Sequence, residues 1–466
     1  MTPRVKPNAF SRNCIDALTL ATARYVFTAC ISGARPLAFS TGLAAAFSTF
    51  FFFLEARFVV RRCLAAILGY IVRDMRVDAL VIGAGPAGSA AAITLARAGR
   101  DVLMVDRCAF PRDKVCGDAL IPDALEALDR LGLRERVARR SRVLDGVRVY
   151  APGGEFVDVK GECACLPRAT FDELLRAAAV NAGARFVPYV DVRGPLLDGG
   201  RVIGADLGAG NVRADVTLLA TGAAAEPLKR FGVCHRVMPS ATAARVYVRT
   251  GDAFARQAHH LCVSYDAAIC PGYGWIFPGP DATFNVGVGF FYDGKADLKV
   301  RLYERKPNIR ELLHRFLDTF PPARDVMRHA IDVTELKGAP LRTALCGSAL
   351  SRQGLLVLGE AAGLTYSFSG EGIGKALESG IIAAEAILDV ESAETYAARI
   401  RAVFSARFRA YKLAQDWLAR PMLANFLTRR ARRSPFVRQE LSAVFQERAD
   451  PRRLFSAAGM LRSFVS

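Results

Sequence analysis

The sequence lacks the paired cysteines and clustered histidines that mark a metal centre or a disulfide framework. Its 11 cysteines are an odd number without a C-x-x-C pair, and its five histidines follow no metal-ligand spacing. Cys163 and Cys165 are two residues apart on a predicted strand, which is poor geometry for binding one metal ion. Free thiols in a reducing compartment therefore suit this composition better than disulfides. We expect no metal and a cytoplasmic protein.

The composition also lacks the apolar content of a polytopic membrane protein, although 52% of the 466 residues are hydrophobic. Residues 37–54 carry no charge and are about long enough to span a bilayer. Arginines flank this stretch on both sides, so the flanking charge predicts no orientation. Three interpretations of residues 1–74 stay open: a non-native or loosely ordered extension, a membrane anchor, or a docked helix.

Acidic residues are scarce towards the C-terminus. The chain as a whole has 63 Lys and Arg against 45 Asp and Glu, a formal charge of +18 that favours anionic partners. Beyond residue 428 arginines alternate with phenylalanines and leucines. This pattern suits peripheral association with a membrane surface or an anionic lipid headgroup, and equally a solvated basic helical tail. Nothing resembles a nucleic-acid-reading module, so we expect no nucleic-acid partner. If the basic region associates with a membrane surface, we expect a cytoplasmic protein that lies on, or is anchored to, the inner face of the membrane.

The clearest motif is ALVIGAGPAGSAAAITLARAGRDVLMVD, residues 79–106. An apolar strand is followed by Gly83, Gly85 and Gly88 in the G-x-G-x-x-G pattern, then by a helix and a second strand. The first glycine makes a tight turn, the second lets a pyrophosphate approach, and the third lets helix and strand pack closely. Asp106 ends the second strand, where a carboxylate binds a ribose 2′-hydroxyl and repels a 2′-phosphate. The motif therefore predicts FAD or NAD rather than NADP.

Later segments indicate that this dinucleotide-binding domain is discontinuous. Residues 147–159 alternate like paired strands, 185–220 read as a β-meander, and the pattern from 243 to 292 predicts an antiparallel sheet. GLLVLGEAAG at 354–363 predicts another strand and glycine turn, and 372–388 a helix. We expect an α/β protein in which a Rossmann-like domain contains an inserted, mostly antiparallel substrate domain. The expected segments are a hydrophobic, basic extension (1–74), the Rossmann-like domain (75–145, 160–230 and 340–395), the substrate domain (146–159 and 231–339) and a basic helical C-terminal region (396–466).

Three further blocks carry chemistry. The first, FPRDKVCGD at 110–118, has the charges and small residues of a loop that passes close to a cofactor. In the second, GYGWIFP at 272–278 followed by NVGVG at 285–289, strand alternation puts Tyr273, Trp275 and Phe277 on one face. The third, GEGI at 370–373, opens a helix whose positive end suits developing negative charge on a reduced flavin. Each block alone is also compatible with ordinary core or loop structure.

Together, and in this order, these blocks resemble the geranylgeranyl reductase family of FAD-dependent oxidoreductases, within the para-hydroxybenzoate hydroxylase-like flavoproteins. The resemblance covers roughly residues 77–388. It implies a Rossmann-like FAD-binding domain, with NADPH, NADH or a ferredoxin as external electron donor. The residues implied for FAD are Gly83, Gly85, Pro86, Ala87, Gly88, Asp106, Arg107, Arg112, Cys116, Gly117, Arg168, Gly359, Glu360, Gly370, Glu371, Gly372 and Ile373. Those implied for the prenyl pocket are Tyr273, Trp275, Phe277 and Pro278.

The chain departs from the family pattern at three places. The family usually has Gly-Asp-Ala-Ala-Gly where this chain has Glu360 in second position, and Asn-Pro-Phe-Thr-Gly-Glu-Gly where it has TYSFSGEG. The segment LLATGAAAEPLKRFG lacks the Asp-Gly-x-x-Ser often seen at that strand end. These departures weaken the prediction of a particular substrate more than the prediction of the cofactor.

The resemblance implies a reductase that saturates C=C bonds of a polyprenyl chain on a lipid, a diphosphate or a quinone, by hydride transfer from reduced flavin N5. Cys116 is the candidate acid near the flavin ring, with simple packing as the alternative. A flavin-dependent monooxygenase or halogenase-like enzyme of the same fold is the alternative activity. Halogenases carry Trp-x-Trp-x-Ile-Pro, and Tyr273 in the first of those positions favours the reductase. A flavin-binding membrane-associated protein without turnover is the non-enzymatic alternative.

Overall fold

The computed structural model describes residues 75–269, 272–292, 308–367, 369–418, 420–456 and 459. The predictions for residues 1–74, including the apolar stretch 37–54, lie outside the described residues, as does 460–466 of the basic region. None of the helices within the described ranges combines the length and the apolar composition needed to cross a membrane.

The strands and helices below are those of the described residues, numbered along the chain. The strands are β1 (Met75–Ile82), β2 (Val102–Val105), β3 (Ala119–Leu120), β4 (Arg142–Tyr150), β5 (Phe156–Cys165), β6 (Arg185–Val187), β7 (Gly194–Asp198), β8 (Arg201–Asp206), β9 (Asn211–Leu219), β10 (Ala241–Thr250), β11 (Leu261–Ser264), β12 (Tyr273–Pro278), β13 (Thr283–Phe291), β14 (Ala330–Val333), β15 (Lys337–Leu341), β16 (Ser351–Arg352) and β17 (Leu355–Val357). The helices are α1 (Pro86–Arg97), α2 (Pro122–Arg130), α3 (Arg134–Ala138), α4 (Arg168–Asn181), α5 (Ala225–Arg230), α6 (Asp252–Ala255), α7 (Ile309–Thr319), α8 (Pro321–Arg328), α9 (Ile373–Leu388), α10 (Ala393–Leu418), α11 (Pro421–Arg433) and α12 (Pro435–Phe445).

The first sheet is built around β1, whose last four residues are all buried, as in a strand covered on both faces. Its order is β16-β17-β9-β1-β2-β6, with β8 beside β9 and β7 beside β8. The pairs β1–β2, β1–β9 and β9–β17 are parallel, so Ile82, Val105, Leu219 and Val357 end their strands side by side. The carboxyl ends of these strands form one edge, which is where open α/β sheets bind their ligands.

The second sheet is the inserted, mostly antiparallel domain that the sequence predicts. Its order is β14-β10-β13-β12-β11-β4-β5-β3, with β15 also paired to β10, and β11 pairs with β4 in parallel. It takes in more of the chain than the predicted 146–159, because β4 and β5 pair from Arg142 opposite Cys165 to Tyr150 opposite Phe156. Buried side chains of β10, β13 and α7, including Val246, Val286 and Phe316, form its own core.

One predicted element differs from the structure. Residues 185–220 were expected to form a single β-meander, and β7, β8 and β9 do form one. β6 instead pairs in parallel with β2. It follows helix α4, and a strand that returns through a helical crossover pairs in parallel with its sheet.

Helix α9 packs closely on α1 and α2 through glycines and alanines. A Cβ added to Gly380 would lie 2.2 Å from the carbonyl oxygen of Ala87, and one added to Gly374 would lie 2.0 Å from Asp123 Oδ2. This close packing brings the N-terminal ends of α1 and α9 to one crevice, lined by Pro86 and Ala87 on one side and Ile373 and Ala376 on the other.

The C-terminal helices α10, α11 and α12 cover β4 and β5. Val157 and Val159 of β5 are buried in one apolar cluster with Leu427 of α11, Val437 of α12 and Phe455. The architecture is therefore the predicted α/β fold with a helical C-terminal region, and that region closes one side of the inserted sheet.

Candidate active site

The glycine-rich turn after β1 is shaped for the close approach of a ligand. Gly83 has a φ of +102°, and a Cβ there would lie 2.3 Å from the Ala220 carbonyl oxygen. A Cβ on Gly88 would lie 1.9 Å from the Gly83 carbonyl oxygen, so this glycine lets α1 pack against the turn. A Cβ on Gly85, the N-cap of α1, would have Arg112 Nη2 at 3.6 Å. Gly85 thus leaves room at the positive end of α1, where an anion binds.

The Asp106 carboxylate is buried at the end of β2 and ties that strand to the turn. Its Oδ2 accepts a hydrogen bond from the Ala84 N–H and its Oδ1 accepts one from the Cys108 N–H, each at 2.9 Å. An ionised carboxylate has about four acceptor positions, so each oxygen can accept a second donor. Asp106 and Arg107 both line the crevice. The carboxylate is therefore held in place and still able to bind a hydroxyl group.

One buried carboxylate, which the sequence analysis missed, holds both predicted arginines. Asp172 accepts hydrogen bonds from Arg168 Nε and Nη2 at 2.7 Å each, and Arg112 Nη1 lies 3.2 Å from Asp172 Oδ2. Burial lowers the pKa of Arg168, but the Asp172 carboxylate outweighs this and the guanidinium keeps its charge. Two cations beside one carboxylate leave a net positive charge facing the crevice, which favours an anionic ligand. The four-residue spacing of Arg168 and Asp172 on a predicted helix was the available signal.

Glu360, the residue that departs from the family pattern, still reaches the crevice. Its Oε1 accepts a long hydrogen bond of 3.4 Å from the Arg342 N–H, and its Oε2 lies 3.9 Å from Lys114 Nζ. Both Glu360 and Lys114 line the crevice. Gly359 beside it has a φ of +58°, and a Cβ there would lie 2.9 Å from the Ala87 Cβ, so this glycine serves packing against α1.

A buried hydrogen-bond network fixes the segment that contains Cys116. The Asn285 amide donates to the Cys116 carbonyl oxygen at 2.7 Å and to Asp118 Oδ2 at 2.8 Å, and Tyr247 Oη donates to the same Asp118 oxygen at 2.6 Å. Burial raises the pKa of Asp118 to about 6, although the bonds from Tyr247 and Asn285 oppose the rise. Asp118 and Asn285 belong to motifs that the sequence analysis quoted, but it gave neither a role. No sequence signal marked Tyr247.

The predicted aromatic face of β12 is confirmed, and its partners explain the NVGVG motif. Ring centroids of Tyr273 and Trp275 are 5.7 Å apart, and those of Trp275 and Phe277 are 6.3 Å apart. Gly287 and Gly289 of β13 stand opposite Trp275 and Tyr273 in the antiparallel register. A Cβ on Gly287 would lie 2.2 Å from Trp275 Cζ2, and one on Gly289 would lie 2.6 Å from Tyr273 Cε1. The two glycines let the rings lie flat across the neighbouring strand.

An apolar cavity of about 190 Å³ opens beside the crevice, which has a volume of about 260 Å³. Valines of β4 and β5 form one of its walls, and side chains of α10, α11 and α12 form the opposite wall. The residues that line both the crevice and the apolar cavity are Cys116, Gly117, Tyr273, Trp275, Gly370, Gly372 and Ile373. We call these residues the junction, because a ligand in one cavity meets a ligand in the other there.

Segment 370–373 leads into α9 at the junction. Gly370 has a φ of +71°, and a Cβ there would lie 2.5 Å from Tyr273 Oη, which donates to the Ser369 carbonyl oxygen at 2.8 Å. Glu371, between the two junction glycines, lines the apolar cavity. Burial raises the pKa of its carboxyl group to about 7, against the opposing attraction of Lys375. An uncharged carboxyl group at neutral pH is a proton donor.

Most predicted site residues meet in the crevice. Those that line it are Gly83, Gly85, Pro86, Ala87, Asp106, Arg107, Arg112, Cys116, Gly117, Arg168, Glu360, Gly370, Gly372 and Ile373. Gly88 and Gly359 lie behind this lining at helix contacts, and Phe277 and Glu371 lie on the apolar cavity. Pro278, at the end of β12, is absent from the lining of either cavity. The roles of these residues in binding stay predictions.

Three comparisons with known proteins bear on this site. The FAD binding domain family matches residues 76–207. A menaquinone reductase of Mycobacterium tuberculosis (strain ATCC 25618 / H37Rv) is 34% identical over 323 residues, which cover 67% of this chain and 76% of that protein. Digeranylgeranylglycerophospholipid reductase 2 of Methanopyrus kandleri is 30% identical over 340 residues, which cover 70% of this chain and 81% of that protein.

Solved structures share the fold. A geranylgeranyl bacteriochlorophyll reductase-like protein of Thermoplasma acidophilum superposes with a TM-score of 0.64 and 21% identity, covering 84% of this chain and 96% of that chain. A flavin-dependent brominase superposes with a TM-score of 0.66 and 21% identity, covering 84% and 98%. At this identity the likeness shows the fold alone, so the sequence relatives decide the family.

The crevice itself fits FAD. Gly85 leaves open space beside the N-terminus of α1, Arg112 and Arg168 give a net positive charge for a pyrophosphate, and Asp106 has free acceptor capacity for a ribose. The junction adds glycines and aromatic rings where a flat ring system needs them. With relatives of 30% and 34% identity that are matched over more than two thirds of their length, the chain belongs to the geranylgeranyl reductase family of FAD-dependent oxidoreductases.

Proposed function

We propose that this protein saturates C=C bonds of a polyprenyl chain carried by a lipid or a quinone. One observation carries the proposal: the apolar cavity opens onto the crevice at the junction. A prenyl chain is uncharged and flexible, so an enzyme that reduces it needs an apolar channel that ends at the cofactor. Relatives named for the reduction of menaquinone and of a digeranylgeranyl phospholipid support the same class of substrate.

We assign the cofactor-binding residues from the crevice. Gly83, Gly85 and the first turn of α1 hold the pyrophosphate, with Arg112 and Arg168 supplying positive charge. Asp106 binds a ribose hydroxyl. Cys116, Gly117, Gly370, Gly372 and Ile373 border the flavin ring, because they line both cavities.

The chemistry divides between the cofactor and the chain. FAD, once bound and reduced by NADPH, NADH or a ferredoxin, supplies hydride to one carbon of the alkene. Tyr273 and Trp275 exclude water from the junction, since both rings are buried and held by neighbouring strands. The Asn285 amide holds Trp275 and the Cys116 segment together. Its oxygen accepts a hydrogen bond from Trp275 Nε1 at 2.9 Å, and its nitrogen donates one to the Cys116 carbonyl oxygen. Positioning of this kind lowers the barrier for reducing an isolated alkene.

The C-terminal helices support binding of the substrate at a membrane surface. Met422 of α11 is 86% exposed, and the exposed arginines of the described part of this region are Arg401, Arg409, Arg420, Arg429, Arg432, Arg433, Arg438, Arg448, Arg452 and Arg453. The inner faces of the same helices line the apolar cavity. We propose peripheral association with an anionic bilayer, from which the prenyl tail enters. Sedimentation with phosphatidylglycerol vesicles, but not with phosphatidylcholine vesicles, is the expected result, and equal recovery with both contradicts it.

Anaerobic turnover tests the reaction. FAD-loaded protein is reduced and mixed with detergent-solubilised menaquinone or digeranylgeranyl phospholipid, and the products are analysed by mass spectrometry. We expect a gain of two hydrogens per bond reduced, with stoichiometric reoxidation of the flavin. No mass gain with any prenyl compound contradicts the proposal, and a product that forms only with oxygen or halide favours the monooxygenase or halogenase alternative.

A pair of substitutions adds a control. Val159→Trp places an indole on the wall of the apolar cavity, whereas Val143→Trp places it on an exposed part of β4, where the valine is 55% exposed. We expect V159W to bind FAD and to lose prenyl reduction, and V143W to behave as the wild type. Equal turnover of the two variants means that the cavity does not hold the substrate.

A further inference from the structure

A buried ionic cluster lies next to Glu371. Lys375, one helical turn further along α9, is fully buried, and its Nζ lies 2.7 Å from Asp123 Oδ2 and 2.7 Å from Glu447 Oε1. Arg407 Nη1 lies 3.5 Å from the second oxygen of Glu447. Lys375 belongs to α9, Asp123 to the start of α2 and Glu447 to the turn after α12, while Arg407 belongs to α10. The cluster therefore joins distant parts of the chain.

This cluster connects the apolar cavity with a second, polar one. Glu447 lines the apolar cavity and also a polar cavity of about 510 Å³. Asp123, Glu378 and Arg407 line the polar cavity too. Lys375 therefore links Asp123 and Glu447, which line the polar cavity, and its charge also acts on Glu371 on the wall of the apolar cavity.

We propose that Glu371 is the proton donor in alkene reduction, and that Glu447 and Lys375 return a proton to it from the polar cavity. This inference rests on the proposed function and deepens it. Glu371 stands between Gly370 and Gly372, which line both the crevice and the apolar cavity. A prenyl chain at the junction therefore has the cofactor crevice and this carboxyl group as neighbours.

Three of the other acidic groups on the wall of the apolar cavity, Tyr273, Tyr411 and Asp118, are held by other partners. Tyr273 Oη donates to the Ser369 carbonyl oxygen, and Tyr411 Oη donates to the Val444 carbonyl oxygen at 2.7 Å. Burial raises the pKa of both phenols, which weakens them as acids. The Asp118 carboxylate accepts three hydrogen bonds, which oppose the effect of burial and leave its pKa at about 6, below that of Glu371.

Atoms and electrons balance in this step. One alkene carbon receives a hydride, with its two electrons, from the reduced flavin. The other carbon receives the proton of the Glu371 carboxyl group, so an O–H bond breaks and a C–H bond forms. The alkane, oxidised flavin and the Glu371 carboxylate remain. One hydride from a reduced nicotinamide, or one electron from each of two ferredoxins together with a solvent proton, reduces the flavin again, and a further solvent proton that enters through the polar cavity restores the carboxyl group.

The surroundings of Glu371 keep about half of its carboxyl groups protonated at pH 7. Burial raises its pKa to about 7, Lys375 lowers it, and the charges of Asp123 and Glu447 raise it. The titratable groups that face it are Lys375, Asp123, Glu447, Tyr265, Tyr273, Tyr366 and Tyr411. Because only the protonated form donates, we expect proton donation to weaken as pH rises through about 7.

Single-turnover kinetics test the donor. Reduced holoprotein is mixed anaerobically with the prenyl substrate, and flavin reoxidation is followed by absorbance. We expect Glu371→Gln to slow this reaction by about 10²–10⁴-fold and to abolish its decline above about pH 7, with Glu371→Asp between the two. Glu394→Gln on the exposed start of α10 is the matched control and is expected to keep the wild-type rate and pH profile.

Infrared spectroscopy gives a readout that does not depend on turnover. Wild-type oxidised holoprotein is expected to show a protonated-carboxyl band that disappears with a midpoint near pH 7, and E371Q is expected to lack it. For the return path, Glu447→Gln at pH 6 is expected to slow steady-state turnover but not the first turnover. An equal slowing of both overturns the role of Glu447.

The failures of the two proposals are distinguishable. If wild-type protein reduces the prenyl substrate and E371Q matches its rate and pH profile, Glu371 is not the donor and the function stands. A carboxyl band that titrates with a midpoint near pH 7 and survives at full intensity in E371Q overturns the donor role in the same way. If no prenyl substrate reoxidises the reduced wild-type flavin, the proposed function fails and the donor role fails with it.

Discussion

Replacing Lys375 with methionine removes the single positive charge that both Asp123 and Glu447 contact at 2.7 Å. Methionine has a similar length and fills the buried space, so the variant isolates the charge. Removing one partner of a buried ion pair costs about 3–5 kcal/mol, because the remaining charge is left without compensation. We expect K375M to lower the free energy of unfolding by about that amount at pH 8.

The loss depends on pH, and its direction follows from Asp123. Burial raises the pKa of Asp123 and Lys375 lowers it, so removing the ammonium group leaves the raised value unopposed. The folded variant then binds a proton at a pH where the unfolded chain has already released it. Stability that rests on such a raised pKa is present at low pH and is lost as pH rises. The deficit of K375M is therefore expected to shrink between pH 8 and pH 5.

Urea unfolding at both pH values measures this deficit through tryptophan fluorescence. Lys412→Met is the matched control, since Lys412 pairs with Asp416 at 3.0 Å on a partly exposed face of α10. Such a pair contributes about 0–1 kcal/mol. The double variant D123N/K375M is expected to recover part of the loss. A loss below about 1 kcal/mol for K375M, or the same loss at pH 5 and pH 8, refutes the reasoning.

Three further variants test the site. Gly85→Val fills the space beside the N-terminus of α1. It is expected to abolish flavin binding, measured by absorbance, and to leave the circular dichroism spectrum unchanged. A G85V protein that still binds flavin contradicts the assigned pyrophosphate site. Gly287→Ala forces a methyl group against Trp275 and is expected to lower the free energy of unfolding in urea by about 1–3 kcal/mol. Gly194→Ala, with open space around it, is the control. Equal urea midpoints for the two variants contradict the close packing of Gly287 against Trp275. Asn285→Leu leaves the Cys116 carbonyl oxygen and the Trp275 Nε1–H without this partner, at about 1–3 kcal/mol each. It is expected to lower both the urea midpoint and the affinity for flavin, and unchanged values mean that the amide is dispensable.

The parts of the site that the sequence predicted are those whose geometry is local. Gly83, Gly85 and Asp106 belong to one consecutive strand, turn, helix and strand, so their spacing alone places them together. Tyr273 and Trp275 share a face because successive strand residues point to opposite faces.

What the sequence did not predict depends on strand register and helix packing. Gly287 fits under Trp275 only because β12 and β13 pair in one particular register. The ionic cluster joins Asp123, Lys375 and Glu447 across most of the described chain, and no periodicity marks such a contact. Glu371 faces the apolar cavity rather than the crevice because of the conformation of the turn that leads into α9.

The two cavities take their walls from different parts of the chain. The crevice uses α1, α9, the first sheet and residues of β10, β12 and β15, whereas the far wall of the apolar cavity is made by helices near the C-terminus. Substitutions at Leu418 or Leu427 change the length and width of that cavity and leave every crevice residue in place. Under the proposed function, changes in these C-terminal helices alone are therefore expected to alter which long-chain substrate is accepted, while the redox half of the protein is inherited intact.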